Sequence, residues 1–167
     1  MASPLNLGVA NNKHIENAAY EIDVNYLGVI RLNNIFMDKL KSRKEAAFIN
    51  ITSNFCIIPS LIEATYSSSK VALAFYTVSL LEHLKIAGST VKVFDLIPPH
   101  VATEMTSERN DKKISTEEFV KGLIKGLTKN QNLIRVGDAK IVDFIKRLFP
   151  KTAFRPINPK KANEILE

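Results

Sequence analysis

Tyr66 and Lys70 stand four residues apart in the run T-Y-S-S-S-K. On a helix, residues i and i+4 share a face, with Cβ atoms roughly 6 Å apart. An ammonium beside a phenol stabilises the phenolate and draws its pKa down from about 10 towards the working range of an acid or base. Ser53 closes the apolar run F-I-N-I-T-S, where the end of a strand could deliver a hydroxyl to the same point. A helix start carrying unrelated polar residues is the plain alternative, because a Tyr–Lys pair at this spacing is common on helices. The weight therefore rests on the elements that position these groups.

From about Ile15 to Leu40 the apolar residues Ile22, Leu27, Ile30, Ile35 and Leu40 recur at helical intervals, with Val24, Val29, Leu32 and Phe36 between them. This pattern predicts a largely buried helix in which Asn25 needs a hydrogen-bond partner. Gly28 within it costs about 1 kcal/mol relative to alanine and is expected to permit close packing. Ala46–Thr52 reads as a parallel strand covered on both faces. A loop over Asn54–Thr65 follows, whose Phe55, Ile57, Ile58 and Leu61 are expected to wall a substrate pocket. Tyr66–Leu84 is an apolar helix expected to be buried in the domain or at a subunit contact, and Val91–Ile97 is a strand stopped by Pro98-Pro99. Strand–helix–strand implies a parallel pair. Ligands in such sheets bind beyond the carboxyl ends of the strands, where both Ser53 and the Pro98–Thr103 loop fall. Glu104–Lys113 is polar and is expected to be a lid. Ser115 with Glu118 forms a capping box for a helix to about Lys129. Asn132–Val136 reads as a last strand, and Ala139–Leu148 as a basic amphipathic helix before a proline-containing tail that runs to residue 167.

Ser53 and Tyr66 are thirteen apart, Lys70 completes Y-x-x-x-K, Asn25 lies upstream in N-Y-L-G, and I-P-P-H-V-A-T spans Ile97–Thr103. This set resembles the short-chain dehydrogenase/reductase family, with its ordered Asn, Ser, Tyr and Lys and its P-G-x-V-x-T segment. The similarity covers roughly Ala18 to Thr106. It implies an α/β fold, a partial Rossmann-like parallel sheet with flanking helices corresponding to the C-terminal half of such a domain. It also implies reversible hydride transfer between NAD or NADP and an alcohol or carbonyl substrate. Tyr66 would exchange the hydroxyl proton, Ser53 would hold the substrate oxygen, and Lys70 would lower the Tyr66 pKa and hold the nicotinamide ribose. Asn25 would organise a proton relay through a bound water, and Pro98 and Thr103 would contact the cofactor. Two departures stand out. Pro99 occupies the family's glycine position, and none of the six glycines forms the T-G-x-x-x-G-x-G turn that cradles the dinucleotide phosphates. The sequence is accordingly expected to be a single, incomplete Rossmann-like domain, truncated at its N-terminal side, with about three strands remaining.

The 167 residues suffice for one core. With 46% hydrophobic and 24% charged residues the chain belongs with globular rather than disordered proteins. No apolar run approaches the length of a membrane span, no secretory signal is evident, and the single cysteine, Cys56, is expected to be a buried reduced thiol; a cytoplasmic protein is the expectation. Much of the net charge of +6 lies beyond Ala139, without the aromatic interleaving or the motifs of nucleic-acid binders, so no specific nucleic-acid partner is expected. A packed or solvent-facing basic helix is the plain reading there, and contact with a membrane surface the sharper one. His14, His83 and His100 are scattered and suggest no metal site. Glu21 and Asp23 are read as groups near a helix N-terminus. The unpaired sheet edge and exposed helix face of a partial domain point to self-association. The alternative to an oxidoreductase is an inactive remnant serving as a binding or interaction module.

Overall fold

The computed structural model describes residues 14–61, 63–103, 113–150, 153–154 and 158. The expected N-terminal loop (1–13), lid residues 104–112 and most of the tail beyond Pro150 lie outside them. The chain runs α1 (His14–Ile22), a π-helical turn (Asp23–Leu27), α2 (Gly28–Lys41), β1 (Ala47–Ile51), a 3₁₀ turn (Asn54–Cys56) and α3 (Ala64–Ile86). There follow β2 (Lys92–Ile97), α4 (Thr116–Thr128), β3 (Leu133–Arg135) and α5 (Ala139–Leu148). The strands form one parallel sheet in the order β1-β2-β3, with Phe48 opposite Val93 and Leu96 opposite Ile134. The α/β class and parallel order match the sequence expectation.

Alternation along the strands assigns the two faces of the sheet. Phe48 and Val93 pack with Leu80 and Leu84 of α3 and with Met37 and Leu40 of α2. Phe94, Leu96, Ile134 and Val136 meet Phe119, Leu123 and Leu127 of α4 on the other face. Ser115 caps α4, accepting from the Glu118 backbone N–H at 3.1 Å, as the capping box predicts.

Three expectations about burial are corrected. In β1, Ile49 and Ile51 remain exposed, because among the described residues α4 lies over β2 and β3 and leaves that face of β1 open. In α2, Leu32, Ile35 and Phe36 are exposed, whereas the polar Asn33 is buried. In α3, Phe75 and Val78 are exposed while Ser67, Ser69, Lys70 and Thr77 are buried. Both helices turn their polar stripe inward. Asn33 donates to Asn50 Oδ1 (3.3 Å) and Asn50 donates to Thr77 Oγ1 (2.9 Å), so α2, β1 and α3 share one buried polar chain.

Glycine sets the spacing on the α4 side. A Cβ on Gly126 would lie 2.5 Å from Ile134 Cγ2, and Ile134 is wholly buried in the core. Gly126→Ala must therefore push α4 off β3, and a loss of about 1–3 kcal/mol of stability is expected, as for other overpacked cores. Urea unfolding measures it, and an unchanged midpoint would contradict this packing.

Candidate active site

The site is assembled at the carboxyl end of β1. The Ile51 carbonyl at that end accepts a hydrogen bond from Lys70 Nζ at 3.0 Å. Thr52, the next residue, is sealed inside; its hydroxyl donates to Asp95 Oδ1 at 2.6 Å, and its N–H donates to the Leu96 carbonyl at 2.9 Å. These bonds fix the chain direction just before Ser53. Ser53 is extended and half-buried, and its hydroxyl accepts from the Phe55 N–H at 3.2 Å, starting the 3₁₀ turn.

α3 brings Tyr66 and Lys70 to the same point. Its entry is fixed by Ser67 Oγ, which donates to the Glu63 carbonyl at 2.8 Å and accepts from the Ser60 N–H at 3.1 Å. The Lys70 ammonium lies 5.6 Å from the centroid of the Tyr66 ring, on its face. The ring packs edge-to-face on Phe55 at 6.2 Å, and Phe55 in turn packs on His100 at 5.8 Å. Tyr66 is half-buried, so one side of the phenol is fixed by packing.

Lys70 is 7% exposed, and burial pulls its ammonium below the ordinary lysine value, opposed by nearby negative charge. The groups that oppose it are Cys56, whose own pKa is raised by burial, and Asp95. Asp95 is pushed up by its own burial, against the Thr52 hydroxyl and the charges of Arg135 and Lys70. Lys70 and Asp95 thus each favour the other's charged form against the burial that disfavours both, and Asp95 stands opposite Asn50 in the β1–β2 pair.

Asn25 arrives from the other helix. The π-helical turn is closed by the Gly28 N–H donating to the Asp23 carbonyl, and a Cβ on Gly28 would stand 3.1 Å from that oxygen. The glycine therefore serves its own helix rather than a neighbour. Asn25 is 2% exposed and donates to Ser69 Oγ at 3.1 Å, while its Oδ1 is sealed from solvent and has no protein donor among the described residues. One turn earlier Glu21 accepts from the Thr65 hydroxyl and is fully buried. Glu21 lies at the end of α1, so the helix N-terminal reading is corrected; Asp23 is exposed and pairs with Arg31 at 2.8 Å.

Ser53 follows the end of β1, Tyr66 and Lys70 stand on α3 beside it, and Asn25 joins α3 one residue before Lys70, through Ser69. Pro98 is half-buried just after β2, and Thr103 is exposed at the edge of the described segment. Ile57 and Ile58 are buried in a core cluster among the described residues. They pack with Ile97, Ala139 and Ala153 as core, Leu61 is exposed, and only Phe55 faces the tyrosine. Sequence reasoning missed Asp95, Thr52 and Ser69. An aspartate inside V-K-V-F-D-L-I was the available signal, since a buried carboxylate needs partners.

The buried pair makes a signed prediction about stability. Between the lowered folded pKa of Lys70 and its ordinary value of 10.5, the unfolded chain holds a proton that the folded chain has released, so stability rises with pH through that window. Asp95 acts oppositely: above 3.8 and up to its raised folded pKa, stability falls as pH rises. Lys70→Met should remove the alkaline rise and Asp95→Asn the acid fall, read as unfolding free energy against pH. Parallel profiles for wild type and both variants would contradict the burial described.

Residues 5–114 match the family described as short chain dehydrogenase. The chain is 28% identical over 141 residues to the uncharacterized oxidoreductase DltE of Bacillus subtilis, covering 77% of this chain and 55% of that protein. It is 30% identical over 106 residues to the human very-long-chain 3-oxoacyl-CoA reductase, covering 62% of this chain and 33% of that one. A short chain dehydrogenase from Burkholderia cenocepacia, solved in complex with NADP, superposes with a TM-score of 0.83 at 23% identity, over 94% of this chain and 65% of that one. The chain thus spans about half the length of the B. subtilis relative it matches. With residues 5–114 matched and the same fold shared, this chain belongs to the short chain dehydrogenase family.

Proposed function

We propose that the chain carries the proton-transfer half of an NAD- or NADP-dependent oxidoreductase acting on an alcohol or carbonyl substrate. The observation that carries this reading is the Lys70 ammonium held against the Tyr66 ring at the carboxyl end of β1, one residue from the extended Ser53. The dinucleotide, when bound, supplies the hydride. The described residues suit its nicotinamide end: a hydroxyl and an ammonium sit together beyond a parallel strand, where such ligands bind. Lys70 would hold the nicotinamide ribose, and Pro98 and Thr103, in the loop after β2, would contact the cofactor. Among the described residues, the glycines Gly28, Gly88, Gly122, Gly126 and Gly137 stand in separate helices and turns.

Tyr66 gives its hydroxyl proton to the developing alkoxide in reduction and takes it back in oxidation. Ser53 donates to the same substrate oxygen, where negative charge grows in the transition state. Lys70 favours the phenolate electrostatically, and Asp95 favours the charged lysine against its burial. The Asn25 Oδ1, sealed without a protein donor among the described residues, suits a relay water that resupplies the proton. The exposed Leu32, Ile35 and Phe36 of α2 and Phe75 and Val78 of α3 support self-association of the chain. No described helix is long and apolar enough to cross a membrane. A cytoplasmic location belongs to the same proposal.

The test is nicotinamide fluorescence titration of the full chain, followed by turnover with a panel of aldehydes and ketones. Tyr66→Phe should lower turnover by about two to four orders of magnitude while leaving dinucleotide affinity within about threefold, because only the proton donor is lost. A folded chain that binds neither NADH nor NADPH overturns the enzymatic reading. It would leave an inactive member whose exposed helices serve as an interaction surface.

A further inference from the structure

A second site lies on the flank of the sheet remote from β1. Between α4, β3 and the start of α5 is an open cavity of about 410 Å³, within the size range of small-molecule sites. Three elements turn cations into it: Lys121, Lys125 and Lys129 from α4 and its cap, Arg135 from β3, and Lys140 from α5. Glu118 is the one carboxylate in its lining, and Asp143 pairs with Arg135 beside it, so five cations against two anions leave +3 there. None of the four lysines has a hydrogen-bond or ion-pair partner among the described residues. Arg135 is held in place by Asp143, through Nη2 at 2.7 Å, and its Nε is buried with no acceptor among the described residues.

This arrangement is costly to the free protein. Lys121, Lys125 and Lys129 follow one another at i, i+4 spacing, where like charges destabilise a helix. Gly122 and Gly126 draw that helix against β3: a Cβ on either would lie within 2.6 Å of Val136 or Ile134. The close approach brings the α4 lysines to the same groove as Arg135. Cations beside an outer strand also hinder edge-to-edge pairing. That purpose needs no concave volume and no convergence from three elements.

We propose that this groove binds a small molecule carrying two or more phosphate groups. Several cations converging on a small volume favour a compact polyanion over a single phosphate, because the Coulomb terms add over each phosphate brought within reach. The site is independent of the proposed catalytic set, since it is lined by none of Ser53, Tyr66, Lys70 or Asn25.

Inorganic tripolyphosphate is the probe, titrated into the ¹⁵N-labelled full chain at about 0.15 M salt, where loosely held surface anions are screened. Saturable shifts are expected at the backbone amides of 121–140, with an affinity at least about tenfold above that of inorganic phosphate. The Lys121→Gln/Lys125→Gln double variant should weaken binding by about tenfold or more. Lys146→Gln/Arg147→Gln removes the same charge from exposed positions outside the groove and should change it less than about twofold. These exposed substitutions keep good helix formers, and circular dichroism checks the fold. Shifts scattered over lysines across the surface, no saturation, or equal loss in both double variants would overturn the site.

Discussion

A hydrogen bond from Lys70 Nζ to the Ile51 carbonyl ties the start of α3 to the end of β1. It places an ammonium where burial disfavours it, and the structure around it answers that cost. Asp95 supplies the compensating charge from the neighbouring strand, Thr52 holds Asp95, and the Thr52 backbone continues the β1–β2 ladder up to Ser53. A lysine in that position without the carboxylate would be drawn further towards its neutral form. The strand end, the carboxylate and the lysine therefore form one arrangement.

The second constraint is the polar seam between the helices. Glu21 meets Thr65, Asn25 meets Ser69, and Asn33 reaches Thr77 through Asn50 of β1. Each bond contributes only about 0.5–1.5 kcal/mol net, but breaking one leaves a buried group unsatisfied at a larger cost. Apolar side chains can slide past one another, whereas these pairs admit one register. The seam thus fixes how far along α3 the Asn25 helix sits. The π-helical turn at Asp23–Leu27 lies within the same stretch, and such turns often mark functional positions. The apolar residues displaced from the seam are the ones left exposed on α2 and α3.

Much of this was legible in the sequence. Alternation and helical spacing gave the element order to within two or three residues, and Tyr66, Lys70, Ser53 and Asn25 were recognisable by type and spacing. What could not be read was orientation. Periodicity says that α2 and α3 have apolar residues on many sides; it does not say that asparagine, serine and threonine would be chosen for the contact. Ile57 and Ile58 looked like pocket wall because their loop follows Ser53, yet α5 packs down on them and makes them core. Asp95 escaped notice because its partners, Thr52 and Lys70, are brought to it by strand pairing across more than twenty residues. Such long-range polar pairings leave little trace in a single sequence.

The central claim is that Lys70 tunes Tyr66, and the titration of Tyr66 itself tests it most directly. With ¹³Cζ-labelled tyrosine, NMR follows the phenol of Tyr66 against pH in the full chain, assigned by Tyr66→Phe. The account predicts titration below the value of about 10 for an unperturbed tyrosine, and a return towards that value in Lys70→Met. The same titration curve in wild type and Lys70→Met would show that the lysine does not govern the phenol, and would contradict the account.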